Sequence, residues 1–155
     1  MQAPDIWDVE TANDSQEWGN KIHLALSKLK YADELDAVIN EIIQEGIFIK
    51  DEIHLIRKLI LDIINHEELH PYFSRNMKVL NESEIILPNG KTYRPDRVII
   101  DKNDVVVIDY KTGHKKDFYQ NQMKHYGKLL AEMNYNVRKK WIVYLGNHTE
   151  IVEVN

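Results

Sequence analysis

Apolar positions in the first seventy residues recur every three or four, the spacing of one helix face. Ile22, Leu26 and Leu29 form one such stripe, in a segment that Asp14-Ser-Gln-Glu17 opens as a capping box and that runs to about residue 30. Leu35, Val38, Ile39, Ile42 and Ile43 form a second stripe, stopped by Gly46. A third, over residues 51–68, carries Ile53, Ile56, Leu59, Ile60, Ile63 and Ile64 and is bounded by Pro71. After that the period changes. Residues 79–87 read as a strand and Pro88-Asn-Gly90 as a turn. Residues 92–101 and 105–111 read as two further strands about a Lys102-Asn-Asp104 turn. A helix over 116–133 and strands over 137–145 and 150–154 complete the pattern. Three helices followed by βββαββ predict a mixed α/β (α+β) domain, with one central sheet flanked by helices and a helical segment before it.

A chain of 155 residues, 43% of them hydrophobic, is enough for one domain with a buried core. Residues 1–70 are expected to form the helical segment and 71–155 the sheet-bearing core of that single domain. Apolar runs are far too short to span a bilayer, so no membrane partner is expected. The first ten residues lack the basic-then-apolar pattern of a signal peptide. With no cysteine there are no disulfides, thiolate zinc sites or cysteine-held iron–sulfur clusters, and a cytoplasmic location is expected.

The net charge of −5 conceals an asymmetry. Residues 1–70 hold 6 Lys/Arg against 15 Asp/Glu, for −9, while residues 71–155 hold 14 against 10, for +4. Phosphate recognition needs local basic surface rather than a basic protein, so the second half is the candidate nucleic-acid face.

Its central pattern is Arg94-Pro-Asp96-Arg97, followed by Asp109-Tyr-Lys111, the only acidic-x-Lys triplet in the chain. Alternation puts Val105, Val107, Asp109 and Lys111 on one strand face and Val106, Ile108 and Tyr110 on the other. Both faces start apolar, so the strand is predicted to be central, and polar groups at its end need a partner or a task. A short turn makes this strand and its predecessor an antiparallel pair, setting Asp96 beside Asp109. Adjacent carboxylates repel unless a cation lies between them, and hard oxygen donors suit magnesium. The plain alternative is a buried Asp–Lys ion pair. On the following helix Gln122 and Tyr126 stand one turn apart on one face. Upstream, Gly19 precedes His23 by one turn and leaves room there for a ligand or a strand.

Two other patterns lead elsewhere. Gly90-Lys-Thr92 resembles the end of a phosphate-binding loop, but Ile85 occupies the position of the required first glycine. His66-Glu-Glu-Leu-His70 matches a zinc-peptidase pattern, but Pro71 pushes His70 away from helical geometry.

Gly19-Asn-Lys-Ile-His23, Glu84, Arg94-Pro-Asp96-Arg97, Ile108-Asp-Tyr-Lys-Thr-Gly113 and Gln122-Met-Lys-His-Tyr126 together resemble the motifs of PD-(D/E)xK nucleases of the RecB/AddA-like branch. The closing Trp141-Ile-Val-Tyr-Leu145 strand also looks like the end of AddA-like chains. The resemblance implies a restriction-endonuclease-like core, the C-terminal exonuclease module of a UvrD/Rep-type helicase–nuclease. Its partners would be single- or double-stranded DNA ends, helicase motor domains of the parent chain and a second helicase–nuclease subunit, in end processing and recombinational repair. It implies Mg2+, with Mn2+ as a substitute, held by His23, Asp96, Asp109 and the Tyr110 carbonyl. Lys111 would act on the attacking water or on charge at the phosphate. Gln122 and Tyr126 would position the site, with Glu84 in an outer-shell or second-metal role. The expected DNA contacts are Arg94, Arg97, Lys115, Lys116 and Lys124. The rival readings are a DNA-binding module with a degenerate site and a zinc peptidase at His66 and His70.

Overall fold

The computed structural model describes residues 12–86, 89–146 and 148–155. Helices α1 (Ala12–Ser27), α2 (Leu35–Glu45) and α3 (Lys50–Ile64) come first. Strands β1 (Lys78–Asn81), β2 (Ile85–Ile86), β3 (Thr92–Tyr93), β4 (Arg97–Asp101) and β5 (Asp104–Thr112) follow. Then come α4 (Asp117–Glu132), β6 (Asn136–Leu145) and β7 (Glu150–Glu153). The main sheet has the order β1-β4-β5-β6-β7 and is antiparallel except between β5 and β6. That parallel step needs a crossover, and α4 supplies it.

The sheet lies between two apolar layers. Ile22, Leu26 and Leu29 join the buried stripes of α2 and α3 against one face, which presents Ile99, Val106, Ile108 and Tyr110. Val98, Val105, Val107 and Ile142 turn to the other face and pack on Met123, Tyr126 and Leu130 of α4. Six consecutive residues of β5, Val105 to Tyr110, are buried, as a central two-sided strand requires. The expected mixed sheet flanked by helices is the fold observed.

Several boundaries differ from expectation. The backbone is already helical at Ala12, so Asp14 does not start α1. Ile43 falls at the edge of its stripe and is 49% exposed, and Ile53 is only partly buried. Gly46, at φ 69°, ends α2 as expected. α3 stops at Ile64, four residues early, and His70–Phe73 forms a short 3-10 turn with Pro71 inside it. The strand expected over 79–87 turns away at Glu82, whose φ of 54° leaves the extended region. Its far end pairs with Thr92–Tyr93 in a small separate hairpin. The strand expected over 92–101 is likewise divided, because Pro95 has no N–H to give a ladder. Gly90, at φ 82°, lies in the expected turn, and Leu87 and Pro88 lie outside the described residues.

Arg97 joins the helical layer to the sheet. Its side chain is 0% exposed. The guanidinium donates to the carbonyls of Leu29 (2.8 Å), Lys30 (2.5 Å) and Tyr72 (2.8 Å), and its Cζ lies 3.9 Å from the Phe73 ring centre. Asn81 adds bonds from its Nδ2 to the carbonyls of Ser27 and Leu29. Carbonyls at and beyond the end of α1, which have no helical partner, are satisfied by β1 and β4. Arg97 is therefore no DNA contact: it has no surface to offer. Lysine keeps the charge there but not the planar fork. We expect Arg97→Lys to cost about 3 kcal/mol of stability in urea unfolding, through carbonyls left without donors. A loss under about 1 kcal/mol would mean that other groups can serve those carbonyls.

Candidate active site

Register carries the strand-borne residues into one place. β4 and β5 pair Arg97 with Ile108, so the next step sets Asp96 against Asp109. Each aspartate then caps the other strand: the Asp96 amide donates to Asp109 Oδ1 at 3.0 Å, and the Tyr110 amide donates to Asp96 Oδ2 at 2.8 Å. Both carboxylates are thereby fixed by main chain rather than by rotamer preference.

α1 brings the third side chain. His23 Nδ1 lies 2.8 Å from the Gly19 carbonyl, an acceptor, so Nδ1 carries a proton. Nε2 faces the Tyr110 carbonyl at 2.8 Å and Asp96 Oδ2 at 3.3 Å. The room at Gly19 is taken by a strand. A Cβ built there would stand 2.8 Å from Thr112 Oγ1, so glycine is what lets α1 close on the end of β5.

Lys111 lies on the α4 side of β5. Its Nζ is 3.2 Å from Asp109 Oδ2, donates to Gln122 Oε1 at 2.9 Å, and sits 4.7 Å from the Tyr119 ring centre. Tyr126 is buried one turn beyond Gln122, with its ring edge-on to Tyr93. Burial, with Asp109 and Asp96 nearby, pushes the Tyr126 phenol well above its usual range, so at neutral pH it acts as a proton donor.

The charges do not balance without a cation. Burial and the charge of Asp96 push Asp109 up to about 7, despite Lys111. Burial alone would also raise Asp96, but His23 and the Tyr110 amide hold it below its ordinary value. For His23, burial would lower the pKa, yet Asp96 and the two carbonyls outweigh it and lift it to about 9. Protons at His23 and Asp109 thus supply the positive charge the cluster needs.

A divalent ion fits in their stead. Magnesium holds six donors at about 2.1 Å, which sets neighbouring donors roughly 3 Å apart. The His23 Nε2 to Tyr110 O and Asp96 Oδ2 separations bracket that spacing. Among the described residues no three His, Asp or Glu side chains form a metal-holding group. The donors that meet this spacing are two side chains, His23 and Asp96, and one carbonyl, that of Tyr110.

Sequence reasoning placed Glu84 near the site, but Glu84 is exposed and paired with Arg94 at 3.0 Å. Glu82 stands there instead, raised by burial and by the charge of Asp96. Only the backbone turn at Glu82 puts it there, and a non-glycine turn leaves no sequence signal. Tyr119 was also missed, although its spacing to Gln122 and Tyr126 places all three on one helix face. Arg94, Lys115, Lys116 and Lys124 are exposed, with Lys115 paired to Glu150. The two histidines of the zinc-peptidase pattern share no α-helix: His66 Nδ1 accepts the Glu68 amide and His70 is exposed.

The family model of the PD-(D/E)XK nuclease superfamily matches residues 2–153. No curated protein matches the chain. A solved structure titled "Crystal structure of SSO0001" aligns at 19% identity, over 94% of this chain and 79% of that one, with a TM-score of 0.38.

Two predictions follow from this geometry. Gly19→Ala should weaken Mn2+ binding at least tenfold by prising α1 from β5, and adding Thr112→Ala should restore most of it, since the clash is with Oγ1. Calorimetric titration reads both, and no rescue would place the defect elsewhere. The second concerns pH. His23 and Asp109 have raised pKa values in the folded state, so their stabilising effect is present below the unfolded values and is lost as pH rises through about 9 and about 7. A bound cation replaces those protons. The rise in Tm on exchanging EDTA for Mn2+ should therefore grow from pH 6 to pH 9, and a pH-independent rise would contradict it.

Proposed function

Since the chain belongs to the PD-(D/E)XK nuclease superfamily, we propose that it hydrolyses DNA phosphodiester bonds at the site built by β4, β5 and α1. The observation that carries this reading is the reciprocal capping of Asp96 and Asp109, with His23 closing on both Asp96 and the Tyr110 carbonyl. Nuclease families of this superfamily generally use divalent metal, typically Mg2+, and we assign Mg2+ here with Mn2+ as a substitute. His23, Asp96, Asp109 and the Tyr110 carbonyl would hold it. When bound, such an ion lowers the pKa of water and neutralises charge on the scissile phosphate.

The chain's own groups do the rest. Lys111, held between Asp109 and Gln122, aims its ammonium where the attacking water and a phosphate oxygen would meet. Gln122 fixes that ammonium, and Tyr126 offers a hydroxyl proton from the wall formed by α4. Arg94, Lys115, Lys116 and Lys124 supply exposed positive charge for the DNA backbone. A histidine from the upstream helix supports the RecB/AddA-like branch. With it come a role as the exonuclease module of a helicase–nuclease in DNA repair, motor domains as partners, and a cytoplasmic location. Among the described residues no helix is long and apolar enough to cross a membrane.

Asp109→Asn and Lys111→Ala separate the roles. Asp109→Asn should abolish both Mn2+ binding and cleavage. Lys111→Ala should keep Mn2+ affinity within about threefold and lose at least about 100-fold in cleavage. Calorimetry, with gel assays on end-labelled DNA in Mg2+ or EDTA, reads both quantities. Cleavage that persists in EDTA would sink the metal-dependent mechanism.

A further inference from the structure

Beyond Lys111 the site continues into an aromatic and basic surface that the chemistry does not use. Tyr119 lies under the Lys111 ammonium at 4.7 Å, and the neighbouring Phe118 ring is 5.0 Å from it, tilted by 49°. Tyr119 is held from behind by Tyr144, at 6.4 Å, and so is fixed to the sheet. Phe118 is 59% exposed, the side chain of an apolar residue facing water on the first turn of α4. Lys116 stands 5.9 Å from the Tyr119 ring centre, and Lys115 stands 5.6 Å from that of Tyr144.

A lone exposed phenylalanine is ordinary. This one is the outer end of a ring series that begins at the reactive ammonium, flanked by two exposed lysines. Exposed aromatic faces offer a base something to stack on, and the lysines beside them neutralise the phosphates that base carries. Within a duplex the base faces are covered by their neighbours, so away from a blunt end only an unpaired strand can use such a surface.

The geometry points to single-stranded DNA as the substrate, with one base stacked on Phe118 and its backbone led by Lys115 and Lys116 towards Lys111. This rests on the nuclease reading above and narrows it to unpaired ends or flaps.

The test is binding in EDTA, where cleavage plays no part. The probes are fluorescein-labelled oligo-dT, a strand of equal length with abasic sites, and a blunt hairpin duplex. Phe118→Ala should lower affinity for oligo-dT about 10-fold or more, with a much smaller change for the abasic strand. Stacking is worth about a 5- to 150-fold change per base. Phe118→Trp should keep tight binding, and its added fluorescence should be quenched by oligo-dT but not by the abasic strand. An equal effect of Phe118→Ala on all three probes, or no quenching, overturns the proposal. Tighter binding of an oligo-U RNA than of oligo-dT overturns the choice of DNA. Mg2+-dependent cleavage of the hairpin by the unaltered protein, with no stacking signal, leaves the nuclease reading intact and removes this one. Stacking without any metal-dependent cleavage does the reverse.

Discussion

An arginine is buried in this molecule, and among the described residues no carboxylate forms an ion pair with it. Arg97 donates instead to the carbonyls of Leu29, Lys30 and Tyr72, and burial holds its pKa below the usual range. Main-chain carbonyls carry only partial charge, so several are needed to offset the desolvation of one guanidinium. They come from two places: the segment just after α1, which supplies Leu29 and Lys30, and the turn after α3, which supplies Tyr72. Both are therefore set against β4 at a single residue. The neighbour of that residue is Asp96, and the helix it anchors carries His23. His23 and Asp96, 3.3 Å apart, thus sit on two elements that this arginine ties together.

At the other side of Asp96 the constraint is electrostatic. A pair of buried carboxylates is unstable as two anions. Lys111 meets Asp109 and His23 meets Asp96, yet Asp109 remains raised to about 7. One more positive charge is favoured at this point than the side chains supply at neutral pH. The fold tolerates the deficit because main-chain amides, which cannot swing away, hold both aspartates in place.

Much of this was legible in the sequence, and what was not has physical causes. The change of period from three-or-four to two located the four α-helices and the core of each long strand among the described residues. Alternation along β5 grouped Asp109 and Lys111 with Val105 and Val107, because side chains on a strand point alternately to its two faces, and the face they share is the one α4 covers. The interruptions at Glu82 and Pro95 were not foreseen, and Glu82 reaches the site only through the first. Arg97 was misread as a phosphate contact, since Arg-Pro-Asp-Arg makes its two arginines look equivalent. Strand parity distinguishes them: Arg97 shares its face with Ile99, which packs under the helices, whereas Arg94 precedes the strand altogether.

The parallel step between β5 and β6 has a consequence for the order in which the molecule becomes competent. β5 is central only when β6 lies beside it, and β6 reaches it only after α4 has crossed the sheet. Gln122 and Tyr126 arrive on that same crossover, while His23 has been waiting since the first helix. The contact of His23 with Tyr110 spans 87 residues, a longer loop than the crossover closes, so docking α1 is the entropically costlier step. A chain cut short before residue 136 keeps its histidine, both aspartates and α4, but has no β6 to make β5 central and hold that helix to the sheet.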